Sequence, residues 1–560
     1  MNFNMRSSKQ GIIGRTYRLA AMLGIMFFIL LLRLVYVQLV NKDSFQVMAN
    51  KQYYYEENAK NINFKLLDRH NEELLKYEKK YYAVIDVNNF ISLNNEENFH
   101  SMQQLTYTLR NYNKDYDVTL IRYGSEEGKK YYDIDKETFD KLKELKNVKG
   151  FYVYESDVAN KDINSNIRNV LLRGTKNSDS NKLKDEGTIE REIYEYVKNN
   201  KYSKIRFEKD VSGNIIDEKI VDNKDNVNVK LTLDKGVQEL SENVIRSEKY
   251  NEYEQIGVIM MEAESGKILS MALKNDYGNN VNIGTPSESG FFAGSIFKTI
   301  VYEGALDEDI VETSEVFNIR EGLFPKSKEK RSSYNIKEAF VASSNNVFAQ
   351  IGWRVGIKNI YNYGKKQGLF SKVLNIQDEK SGQIEGFDLK REEEIITNTS
   401  IGQTVRITPL EALSIPNTVA NDGIYVKPTI IDSFINEDGT VIKKYNSEKE
   451  RVLYKSTAKV LKDSMIQVIE DELGTGKKAK VEGVEIGGKT GTTEYWIKDE
   501  NNQDKECSDA WFAGFFKYNN KYYSMVVFIP QILKNDAGGG TASYVFRDIT
   551  EGIVKNKLLK

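Results

Sequence analysis

Apolar residues are scattered along most of this chain, but Leu19 to Leu32 is an unbroken run of apolar residues and Gly. It continues past Arg33 through Leu34, Val35, Tyr36, Val37, Leu39 and Val40. A bilayer core about 30 Å thick needs roughly 20 apolar residues in a helix. The pattern therefore predicts one membrane-spanning helix over 19–40, with 1–18 as a tail. Arg33 lies late enough to snorkel outward or to face a partner helix. A cleaved signal peptide is the competing reading. The length of the run and the lack of a small-x-small site argue against it.

From 41 to 228 the chain is polar and rich in Lys, Asn, Glu and Tyr. Short apolar runs such as Tyr81–Ile85 and Gly150–Tyr154 read as strands, and Ile189–Val197 as a short helix. Asp68, Glu72, Asp157 and Glu190 read as solvated or turn residues, and His70 as part of a turn. The texture changes near 229. Val229–Leu233 alternates like a strand, and Val237, Leu240, Val244 and Ile245 recur at helical spacing. Gly257–Glu262, the turn 263–266 and Lys267–Leu273 predict a hairpin. Ala510–Phe516, Asn519-Asn520 and Tyr522–Ile529 predict another. Val545, Phe546, Ile549, Ile553, Val554 and Leu558 mark one face of a final helix. Helices alternating with antiparallel hairpins predict an α+β body, a sheet covered by helices.

Composition adds three limits. The formal net charge of -2 carries no nucleic-acid footprint. Arg6, Lys9, Arg15 and Arg18 precede the apolar run, and no acidic residue occurs before Asp43, so the N-terminus should stay cytoplasmic and the body outside. Cys507 is the only cysteine, which rules out an intrachain disulfide. A transition-metal site is not expected, because the C-terminal half offers one thiol and no imidazole, and no cofactor is expected. Asp504, Glu506, Cys507 and Asp509 read as a polar loop before a strand.

Both histidines, His70 and His100, lie upstream. A serine nucleophile in the C-terminal half therefore needs another base. Ser295-Ile-Phe-Lys298 supplies one at helical spacing. Apolar neighbours Ile296, Phe297, Ile300 and Val301 predict a buried helix with Ser295 in its first turn and Lys298 one turn later. Desolvation would lower the Lys298 pKa from about 10.4 and let it accept a proton. The helix N-terminus would favour a developing oxyanion. Alone, the motif is more often a capping serine beside an exposed lysine. Ser343-Ser344-Asn345 interrupts a helical stretch, and Lys489-Thr490-Gly491-Thr492 follows two glycines. Alone, these read as a helix junction and a Gly-rich turn.

The three motifs in this order resemble those of penicillin-binding proteins and serine β-lactamases. Gly284-Thr285-Pro286, Phe291–Gly294, Gly402-Gln403, Thr408-Pro409-Leu410, Gly474–Ala479 and Trp511–Gly514 are similar to flanking segments of that family. The resemblance covers roughly 229–560. The N-terminal helix, ending Arg33–Gln38, looks like the anchor of class B penicillin-binding proteins. The resemblance implies a 41–228 pedestal, β-rich and dimerisation-like, but Leu66–Glu72 lacks the Arg-Gly and final Gly of the usual pedestal motif.

That resemblance implies a D,D-transpeptidase that cross-links peptidoglycan stem peptides and is acylated by β-lactams. Ser295 would be the nucleophile, Lys298 the general base, Ser343 the proton relay oriented by Asn345. Backbone N–H groups of Ser295 and Thr492 would form the oxyanion hole. Lys489, Thr490 and Thr492 would hold the terminal carboxylate, with Gly491 letting the ligand approach. The implied setting is the plasma membrane of a low-GC Gram-positive bacterium. It leaves room for a membrane glycosyltransferase of the elongation, division or sporulation machinery as partner. The rivals are a β-lactamase, for which Glu394–Asn398 is a faint match, and a non-catalytic penicillin sensor or divisome scaffold.

Overall fold

The computed structural model describes residues 4–40, 53–121, 128–145, 147–160, 166–174, 182–210, 212–325, 329–386, 392–498, 504–532 and 540–559. A helix spans Asn4–Val35. An apolar stretch, Arg15–Gln38, runs from this helix into a π-helical turn over Tyr36–Val40, and is 24 residues long and unburied. At 1.5 Å per residue that is about 36 Å, enough to cross a bilayer core. Asp43, the first acidic residue of the chain, lies outside the described residues.

Two compact units divide the chain. The first comprises 1–61, 78–158 and 202–222. In it, Tyr77–Asp86 is the central strand between Lys129–Ile134 and Phe151–Ala159. Alternation along this strand does the sorting. Ala83 and Ile85 join a core with Leu105, Leu109 and Phe139. Val84 joins Tyr55, Tyr152, Ile205 and Phe207. Each face of the strand is thus covered, which explains why Tyr81–Ile85 reads as a nearly continuous apolar run.

The second unit comprises 62–77, 159–201 and 223–560. A boundary drawn near 229 therefore does not coincide with the division in space. Leu66–Leu67 pairs in parallel with Val227–Leu231, which pairs in turn with Ile431–Asn436. Partners so far apart in sequence leave no local mark. Glu190, expected to be solvated, is fully buried, and Lys184 Nζ donates to its Oε1 at 2.9 Å. Burial of a paired charge like this depends on packing, which sequence polarity does not report.

The principal elements of this unit are helix α1 (Lys235–Ile245), strands β1 (Gly257–Glu262) and β2 (Ile268–Leu273), and helices α2 (Lys298–Asp307), α3 (Ile336–Ala342) and α4 (Asn345–Val355). Strands β3 (Ile486–Lys498), β4 (Asp504–Tyr518) and β5 (Lys521–Ile532), then helix α5 (Gly540–Asn556), complete it. The five strands form one antiparallel sheet in the order β2-β1-β5-β4-β3. Phe512 and Phe516 of β4 meet Phe546 of α5. Trp511, pointing the other way, donates its indole N–H to the Phe292 carbonyl at 2.9 Å. The Asn519-Asn520 turn takes positive φ at both residues, as a two-residue hairpin turn requires. The segment from Asp504 to Asp509 is strand rather than polar loop. Cys507 and Asp509 are buried, because β4 runs on opposite the far end of β3. The Asp504 side chain lies outside the described residues.

Candidate active site

Ser295 sits on a 3-10 turn, Gly294–Phe297, that runs directly into α2 with Lys298 as its first residue. An α-helical turn was the expectation from spacing. In the tighter turn residues three apart eclipse one another, so the Ser-x-x-Lys spacing still places both side chains on one side. Close backbone packing sets the turn. Gly294, at φ +54°, donates its N–H to the Gly402 carbonyl at 3.0 Å, and Ala293 N–H reaches the Val405 carbonyl at 2.8 Å. A Cβ on Gly294 would lie 2.8 Å from the Thr492 carbonyl oxygen, and one on Gly491 would lie 3.0 Å from the Ala293 oxygen. Both glycines are therefore what lets the serine turn lie against the edge of β3.

The Ser343-Ser344-Asn345 break divides its labour between the two serines. Ser343 ends α3 in the left-handed conformation, φ 59° and ψ 36°, uncommon for a residue with a side chain. Ser344 caps α4, its hydroxyl accepting from Val347 N–H at 3.3 Å. It also donates to Glu329 Oε1 at 2.9 Å. The capping task falls to Ser344, and the Ser343 hydroxyl is left for the interior.

Two lysines converge on that hydroxyl. Lys298 Nζ, wholly buried, contacts Ser343 O at 2.7 Å, Asn345 Oδ1 at 2.6 Å and Ser343 Oγ at 3.3 Å. Lys489 Nζ, also wholly buried, donates to Ser343 Oγ at 2.8 Å and to the Thr490 carbonyl at 3.2 Å. Neither ammonium pairs with a carboxylate among the described residues. Desolvation, then the nearby Lys489 charge, holds Lys298 well below the ordinary lysine pKa, and Glu329 acts in the opposite direction. Burial alone brings Lys489 down to about 7. A neutral Lys298 suits its surroundings. Two of its contacts are carbonyl oxygens that can only accept, so they engage both N–H bonds. Its lone pair is then left toward hydroxyls, which can donate.

Lys489 is placed by register. It stands opposite Ala513 in the β3–β4 pairing, with Thr490 opposite Phe512 and Thr492 opposite Ala510. Thr490 Oγ1 donates to Thr475 Oγ1 at 2.8 Å, tying the strand to the turn before Lys477. Ser295, Ser343, Asn345, Thr490 and Thr492 all line one cleft of about 990 Å³. The structure thus gathers every predicted site residue at or directly behind one surface. Glu329 and Thr475 join them. Thr475 lies in the flanking Gly474–Ala479 segment, but nothing in the local sequence distinguishes Glu329 from other loop acids.

Other candidates fall elsewhere. Glu394 lines a separate depression with Arg320 and Trp353. His70 approaches Asp234 Oδ2 at 3.2 Å, beside the buried Asp68 carboxylate, and does not line the cleft. No cluster suited to a metal ion occurs among the described residues.

Residues 256–551 match the family described as penicillin binding protein transpeptidase domain. The chain is 26% identical over 369 residues to Penicillin-binding protein PbpB of Mycolicibacterium smegmatis, covering 59% of this chain and 55% of that protein. It is 28% identical over 403 residues to Stage V sporulation protein D of Bacillus subtilis, covering 65% and 59%. The chain thus matches somewhat over half the length of these relatives. A peptidoglycan synthetase from Bifidobacterium adolescentis shares the fold, with TM-score 0.61 and 18% identity over 90% of this chain and 97% of that one.

Proposed function

This chain belongs to the penicillin-binding protein transpeptidase family, and from that premise we propose that it is a serine D,D-transpeptidase that cross-links peptidoglycan stem peptides. Lys298 takes the Ser295 proton, and Ser295 Oγ attacks the carbonyl between the two terminal D-Ala residues. Backbone N–H groups of Ser295 and Thr492 receive the oxyanion. Ser343, held between Lys298 and Lys489, passes the proton to the nitrogen of the leaving D-Ala, and Asn345 fixes Lys298 for this exchange. Lys489, Thr490 and Thr492 hold the terminal carboxylate, and Gly491 admits the peptide backbone to the strand edge. An amine of a second stem peptide then attacks the acyl carbon. The ester bond to Ser295 breaks, and the serine oxygen recovers a proton.

The observation that carries this reading is the pair of buried lysines meeting on one serine hydroxyl beside Ser295. A buried lysine without a carboxylate partner is unfavourable unless its neutral form is used, as for Lys298, or a ligand carboxylate meets its charge, as for Lys489. The β-lactamase reading loses its candidate base, since Glu394 is not in the cleft. Fluorescent penicillin should label Ser295, as mapped on the digested protein, and Ser295→Ala should remove the label. Label on another residue, or no transfer of a donor peptide to an acceptor amine, would refute the proposal.

The wider setting belongs to the same proposal. Residues 19–40 anchor the chain in a plasma membrane, with 1–18 cytoplasmic and the rest outside, consistent with the basic flank of the apolar helix. Residues 41–228 supply a pedestal and 229–560 the transpeptidase domain, except that 62–77, 159–201 and 223–228 fall in the same compact unit as the latter. A membrane glycosyltransferase supplies the glycan strands, and the organism is a low-GC Gram-positive bacterium. Protease added to intact protoplasts should digest the body. Complete protection would overturn the orientation.

A further inference from the structure

We propose that Glu329 forms the subsite for the acceptor, binding the ammonium group of the incoming amine through its Oε2 while Oε1 stays fixed to the turn that carries Ser343. The inference rests on the transpeptidase reading and adds a residue that no motif of that reading contains.

The acceptor of such a reaction is an amine, and an alkyl amine is an ammonium cation at neutral pH. A cleft that uses it must gather a cation beside a site already crowded with lysines. Lys489, charged when it holds a carboxylate, and Lys249, Lys477 and Lys478 on the cleft wall repel a further positive charge, and a carboxylate on the approach offsets them. Among the described residues, three carboxylates line the cleft: Glu252, Glu329 and Glu494. Glu252 and Glu494 are exposed, whereas Glu329 is half-buried. A partly desolvated charge attracts a cation more strongly than one in bulk water.

Glu329 is also the carboxylate joined to the catalytic turn. Its Oε1 accepts from Ser344 Oγ at 2.9 Å and from Asn346 N–H at 3.4 Å. Both bonds use the same oxygen, and the second oxygen has no partner among the described residues. A purely structural role, capping α4, accounts for Oε1 alone. The step balances without a further reagent. The bound ammonium yields one proton through Glu329 to solvent. The resulting amine attacks the acyl carbon, the Ser295 ester bond breaks, and the second amine proton goes to Ser295 Oγ.

Glu329→Gln tests this because the amide oxygen can still accept at the Oε1 position while the charge is lost. The acyl-enzyme formed from a thioester donor partitions between hydrolysis and transfer to an added amine. That ratio is independent of how fast the acyl-enzyme forms. With glycinamide, a cation in part at neutral pH, and ε-amino-caproamide, a full cation, transfer over hydrolysis should fall about three- to tenfold for the latter. With hydroxylamine, uncharged at neutral pH, the ratio should stay at its wild-type value. An unchanged ratio for ε-amino-caproamide would overturn the proposal, and so would an equal loss for hydroxylamine, which would mean a distorted acyl-enzyme. Failure of the wild-type chain to form an acyl-enzyme at all would instead refute the underlying transpeptidase reading.

Discussion

Replacing Gly402 by Ala should disable the nucleophile from a distance. Gly402 has φ +78°, and a Cβ there would sit 2.0 Å from the carbonyl oxygen of Gly294, with Gly294 C at 2.7 Å and N at 2.8 Å. All three are backbone atoms of the residue before Ser295, so no flexible side chain can swing away. The approach is about 1.4 Å inside the 3.4 Å at which ordinary contact begins. Relief must move the serine turn, or the strand segment that holds it, by about that distance. A displacement near 1 Å at reacting atoms costs on the order of 100-fold in rate. The left-handed backbone adds about 1–2 kcal/mol to the stability loss for any residue with a Cβ. Gly439 separates the two effects. It has φ +86° and nothing within 4 Å of a Cβ, so Gly439→Ala carries the backbone cost without the clash. Thermal unfolding of both variants, together with acylation rates by fluorescent penicillin, makes the comparison. Gly439→Ala should lose stability and keep its acylation rate, while Gly402→Ala should lose both. A Gly402→Ala protein that acylates at the wild-type rate would show that this contact does not position Ser295.

Other outcomes follow from the same geometry. Lys298→Ala should slow acylation about 100- to 10,000-fold, the usual worth of a positioned general base. Lys298→Arg should not restore it, since a guanidinium stays protonated, and rescue by Arg in stopped-flow acylation would exclude Lys298 as base. The pH profile should be bell-shaped for a carboxylate-bearing β-lactam. Lys298, whose pKa is depressed, must be neutral, so the rate falls as acid protonates it. Lys489, brought down to about 7 by burial, must be charged to hold the carboxylate, so the rate also falls as pH rises past that value. Lys489→Arg should abolish the alkaline limb, and its persistence would assign the limb to another group. Glu411 is buried and accepts from the backbone N–H groups of Phe370, Gly382 and Thr408. Glu411→Ala would orphan those donors and should cost about 3 kcal/mol or more in denaturant unfolding. Burial raises the Glu411 pKa to about 7. Because the folded pKa lies above the unfolded one, its contribution to stability is greatest below about pH 4.5 and declines up to about pH 7.

Local pattern determined a good part of this protein. The apolar run before residue 40, the period-2 strands of the sheet and the Ser295–Lys298 spacing are all readable without tertiary contacts, because each reflects neighbours within a turn or a pleat. The lack of histidine after His100 already turned attention to lysine as base. What the sequence left open was convergence. Lys298 and Lys489 meet on the Ser343 hydroxyl across 45 and 146 residues. That meeting depends on the β3–β4 register and on the left-handed end of α3. Which serine of the triplet caps a helix and which faces the lysines was decided by that backbone turn. Glu190 in the interior, the strand from Asp504 and the Glu329 carboxylate in the cleft had no local signature. Burial and proximity come from long-range packing, and a one-dimensional pattern reports which face an element presents, not which partner covers it.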